Sequence, residues 1–393
     1  MTTTMTAPMS DSKTHYHLLD GLRGVAALMV IIYHCYECFP PESWIIGHGY
    51  LAVDFFFILS GFVIGYAYDD RWNKSSTKKL TYGQFFRRRL IRLHPMVVFG
   101  ILWGVVTFFI QGGVKWDGTH VTISAVMIAV LLHLFMIPEV PGAMSEVRGN
   151  GEMFPLNGPH WSLFFEYIGN ILYALFLRKL STRWLGIVTA IIGICWALFF
   201  LSDMVGYGNM GVGWTLEGAN FGGGLLRMLF PFSVGLYMSR VFKPVKVRGV
   251  FWICTAILVL LLSLPSMGSD NTAWVNIVFE LVCVAIAFPF VVLLAASGQT
   301  TDPLTTSLCK FMGDISYPLY AVHYPTMYLF YAYIGFPETW RTPAQTWQWM
   351  VLLVVGNIVL AYLALKLYDQ PVRKWLTSRK RIYKIETYIQ ISE

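Results

Sequence analysis

Long apolar runs separated by short polar stretches dominate this chain of 393 residues. Ten of the runs approach the roughly 20 residues that a helix needs to cross a bilayer. They are 20–38, 49–67, 95–111, 161–177, 184–201, 221–239, 250–265, 275–296, 313–333 and 347–367. The pattern therefore predicts an all-α integral membrane protein with about ten transmembrane helices.

The distribution of basic residues predicts the orientation of these helices. Short cytosolic loops collect Lys and Arg, and basic clusters lie within 71–92, 178–183, 240–248 and 373–384. All four clusters face the cytosol only if a further apolar run, 121–137, does not cross the membrane. We therefore expect 121–137 to be a re-entrant or interfacial helix, and both termini to be cytosolic. The polar first sixteen residues do not resemble a removable signal peptide.

Composition agrees with one membrane domain. Hydrophobic residues make up 56% of the chain and charged residues 13%, against about a quarter charged in soluble domains. We expect a polar tail at 1–17, a transmembrane domain at 18–371 and a basic tail at 372–393. The net charge of +7 is explained by the cytosolic loops, so the expected surroundings are membrane lipids and no nucleic acid partner is expected.

Ionisable residues inside a bilayer are costly, and each one indicates a functional site. The apolar segment 18–39 carries Arg23 near one end and His34 near the other, about 16 Å apart in a helix. The predicted spans place Arg23 near the inner face of the membrane. Five ionisable side chains fall in one layer of the outward half: His34, Asp54, Glu166, Arg227 and Glu280.

His34 is the candidate general base. A neutral imidazole can take a proton from a hydroxyl as its oxygen attacks a carbonyl, and a carboxylate can orient the ring. Asp54 and Glu166 are the candidates for that carboxylate. The alternative is a histidine that only hydrogen-bonds a backbone carbonyl within the bundle.

The arginine-rich stretch FRRRLIRLHP at 86–95 is the candidate coenzyme site. Guanidinium groups bind phosphates in a bidentate manner, and Arg88, Arg89 and Arg92 share the predicted inner face with Arg23. The alternative is that they only anchor the helix on the cytosolic side. Pro95 is expected in the first turn of the third transmembrane helix.

Further side chains are candidates for substrate contacts. HWSLFFE at 160–166 contains Trp161 and Ser162. Taken alone, Trp161 is better explained as an interfacial aromatic residue, and Ser162 lacks the G-x-S-x-G context of a nucleophile. Arg227 and Glu280 are included because of their predicted depth. ISYPLYAVHYP at 315–325 supplies three more candidates, of which the histidine is as well suited to packing: Tyr317, Tyr320 and His323.

Other histidines and cysteines are interpreted as structural. His133 lies in the doubtful segment 121–137, and Cys35 and Cys38 have no second pair near them in the sequence. Small polarizable packing residues explain this cysteine pair better than a redox or metal site. We therefore expect no metal.

Seven stretches resemble the family-3 membrane acyltransferases, acyl-CoA-dependent enzymes that O-acylate bacterial surface glycans and related acceptors. They run from residue 19 to 375 in the family's order. The stretches are LDGLRGVAALMVIIYH, GYLAVDFFFILSGFVIG, FFRRRLIRLHP, WSLFFEYIGNILY, RMLFPFSVGLYM, ISYPLYAVHYP and YDQPVRKW. The resemblance thus covers nearly the whole chain.

The resemblance implies roles for several residues. His34 is then the catalytic histidine of the first helix and Arg23 belongs to the same functional motif, while Arg89 and Arg92 face the cytosol to engage the coenzyme. Ser162 and Glu166 are implied to be important. Two features differ from relatives: Asp369, Gln370 and Pro371 stand where a glutamate often precedes proline, and no SGNH-type hydrolase domain is appended.

The sequence therefore predicts an acyltransferase that moves an acyl group, most simply acetyl, from cytosolic acyl-CoA to a hydroxyl of a glycan or lipid-linked sugar at the outer side. Acyl-CoA is a co-substrate, and no tightly bound cofactor is expected. The family implies a bacterial inner membrane. Two alternatives are an N-acyltransferase acting on an amino sugar, and a proton-coupled transporter or lipid-linked sugar translocator. Chain length, acceptor and oligomeric state stay open.

Overall fold

A computed structural model describes residues 16–40, 43–72, 79–245, 247, 249–267, 272–300, 302–335 and 341–378. Most of the predicted tails 1–17 and 372–393 lies outside these residues. Several basic residues used for orientation lie outside them too: Lys74, Lys78, Lys246, Arg248, Arg379, Lys380, Arg381 and Lys384. The described part is helical and contains no strand beyond two isolated bridges.

Twelve α-helices occur among the described residues, numbered here in chain order. They are α1 His17–Tyr36, α2 Ala52–Tyr68, α3 Tyr82–Ile110, α4 Ile123–Leu134, α5 His160–Leu175, α6 Thr182–Leu201, α7 Gly218–Val241, α8 Val250–Ser263, α9 Trp274–Val282, α10 Phe288–Ser297, α11 Pro303–Ile334 and α12 Pro343–Leu363. One π-helical segment, Cys283–Ala287, joins α9 to α10, and another, Ala364–Asp369, extends α12.

Seven helical stretches of the described chain are long and apolar enough to cross a membrane. They are His17–Tyr36, Gly49–Trp72, Tyr82–Ile110, Thr182–Leu201, Gly218–Val241, Trp274–Ser297 and Pro343–Ser378. The other three predicted spans correspond to α5, α8 and α11, which do not meet both criteria. Helix α4 has 12 residues and is about 18 Å long, less than the roughly 30 Å hydrocarbon core. The protein is an all-helical membrane protein, and its orientation stays a prediction.

Helix α3 begins earlier than the sequence predicts. Thr81 caps it: its side chain accepts from the Gln84 backbone N–H at 3.2 Å, and the Gln84 side chain accepts from the Thr81 N–H at 3.3 Å. This reciprocal capping box satisfies two N–H groups that the helix leaves unpaired. The arginine stretch is therefore helical, and Pro95 lies inside α3 rather than in its first turn.

Helices α2 and α7 cross at very short range through glycines on both partners. A Cβ added to Gly61 would lie 2.0 Å from the Phe232 carbonyl oxygen, and one added to Gly235 would lie 2.0 Å from the Ile58 oxygen. Small residues allow such close backbone approach in membrane helix pairs. This crossing fixes the position of Asp54 on α2 relative to Arg227 on α7.

Helices α1 and α11 form a second close pair. A Cβ on Gly24 would lie 2.6 Å from Met312, and one on Gly313 would lie 2.5 Å from the Asp20 Cβ. Both Pro318 and Pro325 lie inside α11, which runs for 32 residues. The pair carries Arg23 and His34 on one helix, and Tyr317, Tyr320 and His323 on the other.

Candidate active site

Two separate cavities lie along α1. The larger, of about 600 Å³, is lined by Arg23, Arg89, Arg92, Lys310 and Arg373 together with the carboxylates Asp20, Glu166 and Asp314; we call it the arginine cavity. The smaller, of about 290 Å³, is lined by His34, Glu37, Trp161, Arg227 and Tyr320 among others; we call it the histidine cavity. The side chains of Arg23 and His34, which belong to the same helix, therefore line different cavities.

Arg23 is held in the arginine cavity by contacts with α11 and with its own helix. Its Nε donates to Ser316 Oγ at 2.8 Å, and its Nη2 donates to the Gly313 carbonyl oxygen at 3.0 Å. The same Nη2 is 3.0 Å from Asp20 Oδ1. The guanidinium is therefore oriented before any ligand binds.

Arg89 and Arg92 are positioned by the early start of α3, which puts residues three apart on one face. Arg89 Nη2 lies 2.6 Å from Glu166 Oε1, while Arg89 Nε is buried and has no hydrogen-bond partner among the described residues. No carboxylate of the described chain lies within 4.0 Å of Arg92, whose guanidinium is 6.0 Å from the Tyr317 ring centroid. Both side chains can therefore accept an anionic ligand.

The position of Arg88 differs from the one expected for a residue of the coenzyme site. It is exposed and does not line the arginine cavity. The reason is the helical register, because a residue adjacent to Arg89 in the sequence points about 100° away around the helix. Arg373, which the sequence analysis did not select, lines the cavity instead and pairs with Asp369 at 2.9 Å.

Glu166 lies at a different place from the one expected. It lines the arginine cavity, where Ser60 Oγ donates to its Oε1 at 2.9 Å, rather than sharing a layer with His34. The expected position was obtained by counting residues from the start of the helix, on the assumption that the helix starts at the membrane surface. Helix α5 has only 16 residues and begins at His160, which is fully buried, so the start of this helix does not mark the surface from which the position of Glu166 was counted.

The carboxylate that contacts His34 is Glu37. Its Oε2 lies 2.6 Å from His34 Nδ1 and also accepts from the Tyr331 hydroxyl at 3.1 Å. We assign the Nδ1 proton from this contact, which leaves Nε2 with its lone pair. The His323 ring stacks on His34 with a centroid separation of 5.4 Å. The expectation that Asp54 or Glu166 orients His34 is therefore corrected.

Asp54 pairs with Arg227 instead. Two bonds join them, from Arg227 Nε to Oδ1 at 3.2 Å and from Nη2 to Oδ2 at 2.6 Å, and both side chains are buried. Arg227 also donates to the carbonyl oxygens of Val212 at 2.8 Å and Tyr50 at 3.1 Å. Asp54 lines neither cavity, so it acts on the histidine cavity only through Arg227.

Val53 and Tyr320 line both cavities and form their common wall. The Tyr320 hydroxyl lies 2.6 Å from Ser162 Oγ, which in turn donates to the Pro159 carbonyl oxygen at 3.0 Å. Ser162 thereby fixes the tyrosine hydroxyl at the boundary. Neither of these two hydrogen-bond partners is a general base that could activate the Ser162 hydroxyl as a nucleophile. Ser162 therefore has the contacts of a residue that positions Tyr320.

The remaining expected substrate residues divide between the cavities and their surroundings. Trp161 lines the histidine cavity, with the Arg227 guanidinium 5.2 Å from its ring centroid, and Tyr317 lines the arginine cavity. Glu280 lines neither; it accepts hydrogen bonds from the Tyr50 hydroxyl, the Met210 backbone and Asn276. His323 is buried behind His34, with its Nε2 unpartnered among the described residues.

The sequence did not predict several residues that line the histidine cavity, among them Glu37, Glu152 and Tyr324. The signal for Glu37 was available, since a carboxylate three positions after a histidine lies beside it on a helix. Glu152 lies in an irregular segment between α4 and α5, where no periodicity indicates burial. Burial raises the pKa of its carboxyl to about 7.

The cysteines and potential metal ligands do not form a further centre in the described part of the chain. Cys35 and Cys38 are both free thiols, and Cys38 donates a weak hydrogen bond to the Cys35 carbonyl oxygen. No group of three His, Cys, Asp or Glu side chains among the described residues is placed to hold a metal.

A helical membrane bundle with a basic cavity and a histidine-containing cavity on either side of a thin wall suits a membrane-embedded transferase. The particular family follows from comparison with known proteins. Residues 16–366 match the acyltransferase domain model of the acyltransferase 3 family, and the chain belongs to that family. The protein is therefore an acyltransferase.

Curated relatives agree with this assignment. The chain is 34% identical over 163 residues to protein 2 in the picA locus of Rhizobium radiobacter, covering 40% of this chain and 80% of that one. It is 24% identical to the acyltransferase MdmB of Streptomyces mycarofaciens over 93% of each chain. It is 39% identical over 90 residues to the O-acetyltransferase OatA of Staphylococcus aureus, covering 23% of this chain and 13% of OatA. No solved structure matches the chain.

Proposed function

We propose that the protein transfers an acyl group, most simply acetyl, from acyl-CoA in the arginine cavity to a hydroxyl of a carbohydrate acceptor in the histidine cavity. The observation that carries this proposal is the common wall. Among the residues that the structure describes, only Val53 and Tyr320 line both cavities, so a donor and an acceptor entering from opposite sides meet at these two side chains. Holding both reactants at one point supplies the orientation that a bimolecular step requires.

The arginine cavity suits the phosphates of coenzyme A. Five cations line it against three carboxylates. Among the described residues, Arg89 Nε has no hydrogen-bond partner and Arg92 has no carboxylate within 4.0 Å, so both offer donors to an anion. Guanidinium forks match phosphate oxygens. The apolar side chains of α2 that line this cavity, Phe56 and Phe57 among them, then accommodate the uncharged arm that carries the thioester.

His34 acts as the general base in this proposal. Its Nε2 takes the proton of the acceptor hydroxyl as the oxygen forms a bond to the thioester carbon. The carbon–sulfur bond then breaks, and the coenzyme thiolate takes the proton back from His34. Glu37 at Nδ1 stabilises the imidazolium that exists between these two steps. The step consumes acyl-CoA and the acceptor and yields the ester and free coenzyme A.

The direction of transfer is part of the same proposal. The arginine cavity is lined by Arg89 and Arg92 of the basic stretch 86–95, and by the positive-inside rule it faces the cytosol, which is where acyl-CoA is made. The histidine cavity then faces the opposite side, where a surface glycan or a lipid-linked sugar is found. A bacterial inner membrane is the location that this arrangement fits. The name of OatA, an O-acetyltransferase, supports an acetyl group and a hydroxyl acceptor.

The test is transfer of labelled acetyl from acetyl-CoA by purified protein in liposomes, with a crude cell-envelope glycan extract as acceptor. Wild type should release coenzyme A thiol and label the extract, and His34→Ala should lower both by at least about a hundredfold, the usual contribution of a general base. His120→Ala is the matched control, because His120 is exposed in a loop, and it should match wild type.

Three results would contradict the proposal. Equal rates for His34→Ala and wild type would remove the histidine from the mechanism. Labelling that is unaffected when acetyl-CoA is supplied only on the side opposite the arginine cavity would overturn the assigned direction. Labelling of an amine rather than a hydroxyl, detected by its resistance to mild base, would replace O-acylation by N-acylation.

A further inference from the structure

A third cavity adjoins the histidine cavity on the side away from the common wall. It has a volume of about 330 Å³ and includes Trp116, Tyr328, Tyr331 and Cys38 in its lining; we call it the tyrosine cavity. It shares four residues with the histidine cavity: Glu37, Asn150, Glu152 and Tyr324. The two spaces are therefore neighbouring compartments of one cleft. Each is close to the lower limit of about 300 Å³ for ligand pockets.

The aromatic lining of the tyrosine cavity is held in place by a buried cation. The Arg148 guanidinium lies 3.5 Å from the Tyr328 ring centroid and 5.4 Å from that of Trp116. It also donates to the Pro155 carbonyl oxygen at 2.8 Å and to Gln111 Oε1 at 2.5 Å. Stacking on a desolvated guanidinium stabilises the orientation of such rings. These ring faces are thus fixed before a ligand arrives.

The junction between the two compartments is polar. Glu152 accepts a hydrogen bond from the Tyr328 hydroxyl, and Asn150 Oδ1 is buried with no hydrogen-bond partner among the described residues. A buried carbonyl oxygen left unpaired carries a free-energy cost that a donor from a ligand can remove. Carboxylate and amide oxygens accept from hydroxyl groups. The junction therefore suits a ligand that carries hydroxyls.

Resting on the proposed function, we infer that the acceptor is an oligosaccharide with at least two sugar rings, the acylated ring in the histidine cavity and the adjoining ring in the tyrosine cavity. Aromatic faces pack against the C–H face of a sugar ring. Asn150 and Glu152 then accept from hydroxyls beside the glycosidic linkage. Either compartment alone holds one ring, so a single sugar would leave the tyrosine cavity and its fixed rings unused.

The experiment compares acetyl transfer from acetyl-CoA to four probes: the methyl glycosides of glucose and N-acetylglucosamine, and those of their β-1,4-linked disaccharides. For the preferred sugar, wild type should use the disaccharide with a kcat/KM at least about tenfold higher than the monosaccharide, as expected for one added aromatic contact surface. Octyl glucoside, which has an apolar chain in place of the second ring, should not show this gain.

Cys38 provides the matched pair of variants, because it lines the tyrosine cavity and not the histidine cavity. Cys38→Phe should fill the second compartment and bring the disaccharide to monosaccharide ratio of kcat/KM close to one. Cys38→Ser keeps the space open and should retain the wild-type ratio. Calorimetric titration with the same disaccharide should show binding to wild type and to Cys38→Ser, with binding lost in Cys38→Phe.

The outcomes separate this inference from the proposed function. Transfer to mono- and disaccharide with equal kcat/KM would keep the acyltransfer proposal and overturn the two-ring cleft. Octyl glucoside matching the disaccharide would also overturn it, because an apolar group would then be the occupant. Disaccharide binding that depends on Cys38, without acetyl transfer, would support the cleft and overturn the proposed transfer. If the disaccharide shows neither binding nor acetyl transfer, the two-ring cleft is overturned.

Discussion

Glu37 Oε2 lies 2.6 Å from His34 Nδ1, so the histidine of the smaller cavity is oriented by the carboxylate one helical turn beyond it. Glu37→Gln keeps the size of the side chain and removes the negative charge that stabilises an imidazolium. We expect kcat for acetyl transfer to fall by about a hundredfold to ten-thousandfold. The KM for acetyl-CoA should change little, because Glu37 does not line the arginine cavity.

Steady-state kinetics of the purified variant in liposomes would check this. Glu217→Gln is a suitable control, since Glu217 directly precedes α7 without a side-chain capping hydrogen bond and lines none of the three cavities. Normal turnover in Glu37→Gln would show that the carboxylate is not needed for the protonation state of His34.

Substitution of Arg92 is the clearest test of the donor site. Among the described residues no carboxylate lies within 4.0 Å of Arg92, so its removal breaks no ion pair there. Arg92→Ala should raise the KM for acetyl-CoA by roughly tenfold or more, as loss of a charge-assisted contact to phosphate requires. Arg88→Ala is the control, since Arg88 belongs to the same helix turn but is exposed outside the cavity. An equal rise in both variants would indicate a general effect of surface charge.

The Asp54–Arg227 pair predicts a stability effect that is not additive. Arg227→Met leaves Asp54 buried without its partner, and breaking a buried pair in this way costs about 3–5 kcal/mol. Asp54→Asn combined with Arg227→Met should recover a large part of that loss, because no buried charge is then left. Thermal unfolding in detergent, with the four proteins of the double-mutant cycle, measures the coupling. A double variant as unstable as the sum of the singles would contradict the pairing.

Stability should also depend on pH through Glu139, which lies outside the membrane-spanning helices. Burial raises the pKa of its carboxyl to about 8, and its Oε1 lies 3.3 Å from His133 Nε2. The folded protein therefore keeps a proton that the unfolded chain releases above about pH 4.5. This contribution to the free energy of unfolding is complete at low pH and is lost as the pH rises towards about 8.

Glu139→Gln removes that dependence, because an amide does not titrate. Unfolding temperatures measured between about pH 5 and about pH 9 should fall more steeply for wild type than for Glu139→Gln. Parallel curves for the two proteins would contradict the raised pKa.

The positions of the helices could largely be predicted from hydrophobic runs, but their ends could not. The start of α3 is set by the capping box of Thr81 and Gln84, which lies before the apolar run and places the arginines inside the helix. A prediction that begins a helix where hydrophobicity begins misses a cap of this kind. It therefore also misses that Arg88 and Arg89 point in different directions.

The identities of the charged residues were predictable, whereas their partners were not. Arg89 and Glu166 are 77 residues apart and Asp54 and Arg227 are 173 apart, so only the packing of α3 on α5 and of α2 on α7 brings them together. Counting depth along each helix placed His34, Asp54 and Glu166 in one layer. It failed for Glu166 because α5 begins below the surface of the protein. Only the contact between His34 and Glu37 could have been predicted from sequence spacing, because these two residues are three positions apart.

The common wall of Val53 and Tyr320 also bears on the ion gradients that a membrane maintains. If the two cavities face opposite sides of the membrane as proposed, joining them would form a water-filled leak for protons and small ions, and the two side chains between them would close that route. Because Ser162 holds the Tyr320 hydroxyl at 2.6 Å, this barrier is anchored on one side. In the proposed transfer the thioester carbon and the acceptor oxygen meet at this point, so the acyl group would pass between the cavities while Val53 and Tyr320 close the aqueous route around the reactants.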